Sequence, residues 1–356
     1  MNPEITRCSK CVLPETVPGI TFDEAGVCSF CHDYQEEECL GEEELGRIVA
    51  AAKGRGGKYD CIVPLSGGRD STFVLHLAKA VYGLNPLAVN YDNEFRTDQA
   101  AVNMQRACDT LGVDFVTVRS RLGVGRRIVK HNMRFFASEY GLPLHGICYA
   151  CTYGYFSAAY RAAEKHGAPL ILWGTSKGEQ TVDARRKIFS GLGRKPSKLR
   201  MLMSPSFYAT EFSCLLQRME FRVPGNSLLK RYTPVLRNDN IRQVGVFDYV
   251  PWDRQRIKDV IMGELGWEKP PAHVSTWRTD CKLHPLMNYY FYELFGCTKD
   301  CLGYCNMIGA GRLTREEALV QEEELAARRM ENMRELLGDE IGFGPEEVER
   351  MLVARW

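Results

Sequence analysis

Cys61-Ile62-Val63-Pro64-Leu65-Ser66-Gly67-Gly68-Arg69-Asp70-Ser71 is the stretch on which the reading of this chain turns. The apolar run Cys61 to Leu65 predicts a short buried strand, and the segment from Thr72 to Val81 predicts a helix. Between them, two consecutive glycines let the backbone turn sharply and come close to an anion. The helix N-terminus behind them adds partial positive charge, so strand, loop and helix together make a phosphate cradle. The spacing is neither a Walker A loop, which ends in Gly-Lys-Ser/Thr, nor the Gly-x-Gly-x-x-Gly of dinucleotide folds. Asp70, a carboxylate set beside phosphates, is a candidate partner of Mg²⁺.

Around this stretch the chain repeats a theme. Short apolar runs at Pro86 to Asn90, Phe115 to Val118 and Pro169 to Trp173 alternate with helix-like segments such as Thr97 to Leu111. That alternation predicts a parallel sheet wrapped by helices. The chain divides into residues 1–40, rich in Cys, Pro and Gly, an α/β part over 41–247, and a helical part over 248–356 that includes the charged stretch Thr314 to Leu337. A linking helix is expected where the charged run from Glu36 to Arg47 follows the first part. The basic run from Lys177 to Arg200 reads as a mobile loop or a substrate-facing insertion.

A length of 356 residues suits two domains with a small appendage, and 45% apolar with 26% charged residues is a globular composition. A formal net charge of +1 makes no bulk demand for nucleic acid or an anionic membrane. No window approaches the roughly 18 apolar residues of a membrane span, and the N-terminus lacks a signal-peptide pattern, so a soluble cytoplasmic protein is expected. In that compartment fourteen cysteines read as metal ligands or reactive thiols rather than a disulfide framework.

Cys8-x-x-Cys11 and Cys28-x-x-Cys31, sixteen residues apart, have the spacing of a four-thiolate zinc site, which would fold a segment too short for a core of its own. His32 is an alternative to Cys31. Cys148-x-x-Cys151 opens a helix that leads into the strand at Pro169, where a helix N-terminus favours thiolate. Cys297, Cys301 and Cys305 recur at one helical turn along one face, leaving a further metal site open. Cys39, Cys61, Cys108 and Cys214 read as ordinary core or surface residues.

The run Ser66 to Ser71 resembles the signature of the PP-loop ATP pyrophosphatases, the superfamily of GMP synthetase, argininosuccinate synthetase and tRNA thiolation enzymes. The resemblance implies an adenine-nucleotide α-hydrolase-like sheet and ATP cleaved between its α and β phosphates. It implies pyrophosphate on Ser66, Gly67, Gly68, Arg69, Asp70 and Ser71, and adenosine near Asn90, Tyr91 and Gly174 at the strand ends. Asp92 is open between a nucleotide contact and a helix cap. In the tRNA 2-thiolation branch a Cys-x-x-Cys and one downstream cysteine hold a [4Fe-4S] cluster, which here implies Cys148, Cys151 and Cys281 with one iron open. A second zinc site or plain buried thiols stand beside that reading.

Over nearly its whole length the chain is similar to the N-acetyl sugar amidotransferase family, which makes acetamidino sugars for lipopolysaccharide and nonulosonic acids. The likeness runs through Pro18-Gly19-Ile20-Thr21-Phe22, Tyr59 to Pro64, the phosphate loop, Tyr82-Gly83-Leu84-Asn85-Pro86, Cys148-x-x-Cys151, Trp173-Gly174, Arg278-Thr279-Asp280-Cys281-Lys282 and Leu313 to Ala318. It departs at Gly174-Thr175-Ser176, where Gly-Glu-Asn or similar is expected. It implies attack of an acetamido oxygen on the α phosphate, loss of pyrophosphate, and displacement of AMP by ammonia to leave an amidine. Ammonia would come from separate glutaminase and channel subunits. The alternative keeps the adenylate and makes sulfide the nucleophile, carried as a persulfide or by a cluster on Cys148, Cys151 and Cys281, with tRNA or a small molecule as acceptor.

Overall fold

The computed structural model describes residues 5–35, 38–120, 122–140, 143, 147–175, 205, 208–209, 212, 240–270, 273, 276 and 278–353. Five strands, β1 (Cys61–Pro64), β2 (Pro86–Asp92), β3 (Asp114–Arg119), β4 (Leu170–Trp173) and β5 (Arg242–Gly245), form one sheet in the order β3-β2-β1-β4-β5. Every neighbouring pair is parallel, with Cys61 opposite both Pro86 and Leu170. This is the expected α/β architecture, a parallel sheet wrapped by helices with a four-cysteine N-terminal module and a helical C-terminal part. The chain leaves β1 towards β2 on one side and returns to β4 on the other. The carboxyl end of β1 is therefore the switch point at which open sheets bind ligands.

Side chains alternate between the two sheet faces, as strand geometry requires. Cys61, Val63, Ala88, Leu170, Leu172 and Val244 face a core that includes Phe73, Met104 and Ile257. Ile62, Leu87, Val89, Tyr91, Ile171 and Trp173 face Ala158, Ala159 and Ala163. Both faces are covered, which is why β1, β2 and β4 read as continuous apolar runs. β5 was not anticipated: Arg242 and Gln243 are exposed, and the strand exists through its register with β4.

The helix after the phosphate loop, α3, begins earlier than expected, at Arg69, and runs to His76 before continuing as a π-helical turn over Leu77–Val81. Before it in the chain come the short helix α1, Ser29–His32, and the linking helix α2, Glu42–Ala52. The expected helix from Thr314 to Leu337 ends at Arg328, because Asn332 adopts a left-handed conformation and the chain restarts at Met333. The expected insertion from Lys177 to Arg200, and Cys214, lie outside the described residues.

The N-terminal module packs against the C-terminal helices. Arg7 donates to the Gly296 carbonyl at 3.0 Å, Thr16 donates to the Phe295 carbonyl, and Cys8, Phe291, Phe295 and Val63 belong to one buried cluster. Among the described residues, no helix is long and apolar enough to cross a membrane.

Candidate active site

The loop between β1 and α3 is closed by its own hydroxyls. The Ser66 N–H donates to Ser71 Oγ at 3.2 Å, the Gly68 N–H donates to Ser66 Oγ at 3.2 Å, and Thr72 Oγ1 donates to the Gly68 carbonyl at 2.8 Å. Gly67 has φ of 81°, and a Cβ there would lie 2.3 Å from the Ala100 carbonyl oxygen, so only glycine fits. Across the switch point, a Cβ on Gly174 would lie 2.9 Å from the Ser71 backbone nitrogen, so the end of β4 rests directly on the loop.

Two indoles brace the loop from a distance in sequence. Trp267 Nε1 donates to the Gly67 carbonyl at 2.9 Å, and Trp252 Nε1 donates to Asp70 Oδ1 at 3.0 Å. Arg69 is buried and stacks on Trp252 at 4.7 Å, donating to Asp70 Oδ1 at 3.1 Å and to Thr276 Oγ1 at 3.1 Å. Arg69 and Asp70 are thus paired with each other in this structure, and their charges offset.

The carboxylate that lies on the loop is Asp280, whose Oδ2 is 3.3 Å from where a Gly68 Cβ would stand. Among the described residues, no side chain hydrogen-bonds to it. Backbone pairing carries it there. The Lys282 N–H donates to the Phe95 carbonyl at 2.8 Å, the Thr97 N–H donates to the Asp280 carbonyl at 3.3 Å, and Thr97 Oγ1 donates to the Thr279 carbonyl at 2.8 Å. Thr97 also caps the helix Asp98–Leu111, accepting from the Ala100 N–H. A carboxylate beside an anion cradle is placed to share a cation with the anion, and oxygen donors of this kind suit Mg²⁺.

At the end of β2 the residues divide. Asn90 faces the loop side but is engaged, donating to the Leu65 carbonyl at 2.8 Å and accepting from Arg96 Nη1 at 2.9 Å. Tyr91 faces the opposite core. Asp92 pairs with Arg119 at 2.7 Å. Burial alone would raise its pKa, but the Glu94 N–H and the Arg119 guanidinium outweigh it and hold the carboxyl below its ordinary value.

Three thiols flank this corner. Asn93 Nδ2 donates to Cys151 Sγ at 3.2 Å, and Cys281 forms a single antiparallel bridge with Arg96, so Cys151 and Cys281 both lie against the segment after β2. Cys148, at the start of the helix Tyr149–His166, is exposed. The expectation that the helix N-terminus favours thiolate fails at Cys151. Its sulfur is desolvated, and burial first, then the charges of Cys148 and Asp280, push the thiol up to about 12. Burial and the neighbouring Cys151 and Cys148 likewise push Cys281 upward. The three sulfurs are not drawn within 4.8 Å of one another, which does not fit one tetrahedral ion. A cluster that gives each sulfur its own iron spreads its ligands wider.

The other Cys-x-x-Cys pairs meet a different fate. The ligand atoms of Cys8, Cys11, Cys28 and Cys31 all lie within 4.8 Å of one another, and all four residues are buried. Backbone N–H groups of Cys11 and Cys28 donate to Cys8 Sγ at 3.3 and 3.2 Å, the knuckle geometry of a thiolate metal site. Four sulfurs at that spacing fit tetrahedral Zn²⁺. His32 points away, to Asp23 at 2.8 Å, and is no substitute ligand. The expected three-thiol face of Cys297, Cys301 and Cys305 is split. Cys305 Sγ approaches Cys31 Sγ at 3.9 Å, while Cys301 lies with Cys297 and the buried Glu322. Cys61 and Cys108 are core residues.

Sequence reasoning passed over the roles of Asp280, Asn93, Arg96 and both indoles. Asp280 adjoins a suspected ligand, which was a usable signal. Trp252 and Trp267 carried none, since their partners are 182 and 200 residues away.

No protein-family model matches the chain. A curated relative, an uncharacterized protein of Methanocaldococcus jannaschii, is 32% identical over 114 residues, or 31% of this chain, and the chain spans 41% of that relative's length. Among solved structures, the NMN synthetase of Francisella tularensis matches with TM-score 0.29 and 13% identity, covering 51% of this chain and 91% of its own. The U34-tRNA thiolase NcsA of Methanococcus maripaludis, solved with its [4Fe-4S] cluster, matches with TM-score 0.35 and 13% identity, covering 96% of this chain and 95% of its own. At these scores the likeness is loose, and the fold rests on the strand order and register given above.

Proposed function

We propose that this chain is an ATP-dependent adenylating enzyme that releases pyrophosphate, acting on an amide-bearing sugar or nucleotide sugar in the cytoplasm. The observation that carries this reading is the Asp280 carboxylate lying on Gly68 of the closed phosphate loop. An amide oxygen is a poor leaving group and its carbon a poor electrophile. Attack of that oxygen on the α phosphorus of ATP forms a P–O bond and breaks the α–β bridge, and pyrophosphate leaves into the loop from Ser66 to Ser71 at the helix N-terminus.

Mg²⁺, if bound, would be held by Asp280 and would neutralise pyrophosphate charge, since Asp70 is engaged by Arg69 and Trp252. The protein's own part is positioning: Gly174 sets the floor beneath the nucleotide, and Trp252 and Trp267 fix the loop. Ammonia then adds to the activated carbon, AMP leaves with the former amide oxygen, and a proton is lost to give the amidine. The resemblance to N-acetyl sugar amidotransferases supports this acceptor, with ammonia delivered by glutaminase and channel partners.

A second reading keeps the adenylate and changes the nucleophile to sulfide. The gathering of Cys148, Cys151 and Cys281 beside Asp280 favours it, because ammonia chemistry has no use for three thiols. Those three side chains would hold a [4Fe-4S] cluster, which when bound would present sulfide at an open iron. The acceptor would then be tRNA or a small molecule.

One experiment tests both. The anaerobically purified chain is given ATP with a panel of acetamido sugars, each with ammonium or with sulfide, and AMP and pyrophosphate are counted. AMP formation dependent on ammonium and an acetamido sugar supports the amidotransferase. Formation dependent on sulfide and chain-bound iron replaces it with the sulfurtransferase. Absence of AMP under every condition sinks both.

A further inference from the structure

We propose that Cys305 belongs to the N-terminal metal site as a fifth, reserve thiol, which takes the ligand position of Cys31 when Cys31 is lost. The distance between Cys305 Sγ and Cys31 Sγ, 3.9 Å, equals that between Cys8 Sγ and Cys31 Sγ and nearly equals the 3.7 Å between Cys11 Sγ and Cys28 Sγ. Cys305 thus stands at ligand spacing from the edge of the tetrahedron, 274 residues from its neighbour in sequence. Its side chain is buried with the four others.

Four thiolates already give Zn²⁺ a full shell with a net charge of −2, so a fifth sulfur stands outside that shell. Its contact with the Cys31 sulfur places it where groups just outside a metal's ligands act. If Cys31 is removed, a small turn of the Asp300–Gly309 helix side chain brings Cys305 to the vacated corner. The exchange binds the N-terminal knuckles to a helix whose first residue, Asp300, pairs with His284 at 2.9 Å, three residues after Cys281. His32 does not compete, since it is exposed and held by Asp23.

The test uses the full chain loaded with Zn²⁺ or Co²⁺. Cys31→Ser should keep one metal per chain and a four-thiolate cobalt charge-transfer band, whereas Cys31→Ser with Cys305→Ser should lose about 10- to 100-fold in metal affinity and show a three-thiolate band. If Cys31→Ser alone shows the three-thiolate band and the affinity of the double variant, the proposal fails. Should Cys31→Ser not fold, zinc transfer to a chelator decides. Cys305→Val, which refills the space without sulfur, should release zinc about tenfold faster than the unmodified chain. An unchanged release rate overturns the reserve role.

Discussion

Two kinds of Cys-x-x-Cys pair share this chain and end in opposite surroundings. Cys8, Cys11, Cys28 and Cys31 are buried, mutually within 4.8 Å, and held by backbone N–H groups. Cys148 is exposed, Cys151 is wedged against Asn93, and neither closes a tetrahedron with Cys281. The first group is complete in itself, the hallmark of a structural site. The second forms no closed ligand shell among the described residues. Identical spacing in sequence therefore specifies only that two thiols can share a neighbour. Whether they make scaffold or chemistry depends on what the fold brings beside them.

The sharpest way to break this contrast is to remove metal. A chelator applied to the metal-loaded chain should unfold residues 5–35, read as rapid proteolysis at Arg7 and Lys10, because that segment has little apolar core apart from its sulfurs and its contact with the C-terminal helices. The same treatment after Cys148→Ser should look no different. Next in size, Asp280→Asn should lower turnover on the order of 100-fold while leaving thermal stability unchanged, since its carboxylate serves no internal partner among the described residues. A matching loss of stability would move Asp280 to the scaffold side.

Gly174→Ala should cost about 1 to 3 kcal/mol by forcing a methyl against the Ser71 backbone, and should raise the KM for ATP more than it lowers the melting temperature. Glu322 tests the scaffold side. Its buried carboxyl is raised above the ordinary value by desolvation, against hydrogen bonds from Thr298. The folded state thus binds its proton more tightly than the unfolded state, so stability falls as pH rises from about 4.3 towards the folded value. Glu322→Gln should flatten that part of the melting profile. The smallest effect belongs to Arg119→Ala. The depressed Asp92 carboxyl gives stability that is present above about 3.9 and lost as pH falls through its folded value. Because Arg119 is 69% exposed, only about 0.2 to 1 kcal/mol should be involved.

What was legible in the sequence was local. β1, the glycine loop and α3 are contiguous, and the apolar runs of β2 and β4 follow from burial on both faces. β5 was illegible because Arg242-Gln243-Val244-Gly245 has no apolar run, and only its ladder with β4 makes it a strand. The four N-terminal thiols were legible by spacing, but the place of Cys305 beside Cys31 was not, because helical periodicity says which residues share a face and not what that face meets. Helix position suggested a reactive Cys151, and desolvation outweighed it. The role of Asp280 depended on the bridge between Phe95 and Lys282, a pairing that periodicity does not reveal.

The two indoles that grip the phosphate loop have an optical consequence. Trp252 and Trp267 are two of five tryptophans, and each N–H is fixed on an atom of the loop itself. Indole emission shifts in colour and yield when that hydrogen bond or its surrounding polarity changes. Filling the cradle with pyrophosphate would therefore be visible in the intrinsic fluorescence of the unlabelled chain, and comparing Trp252→Phe with Trp267→Phe would separate the signal at Asp70 from that at Gly67.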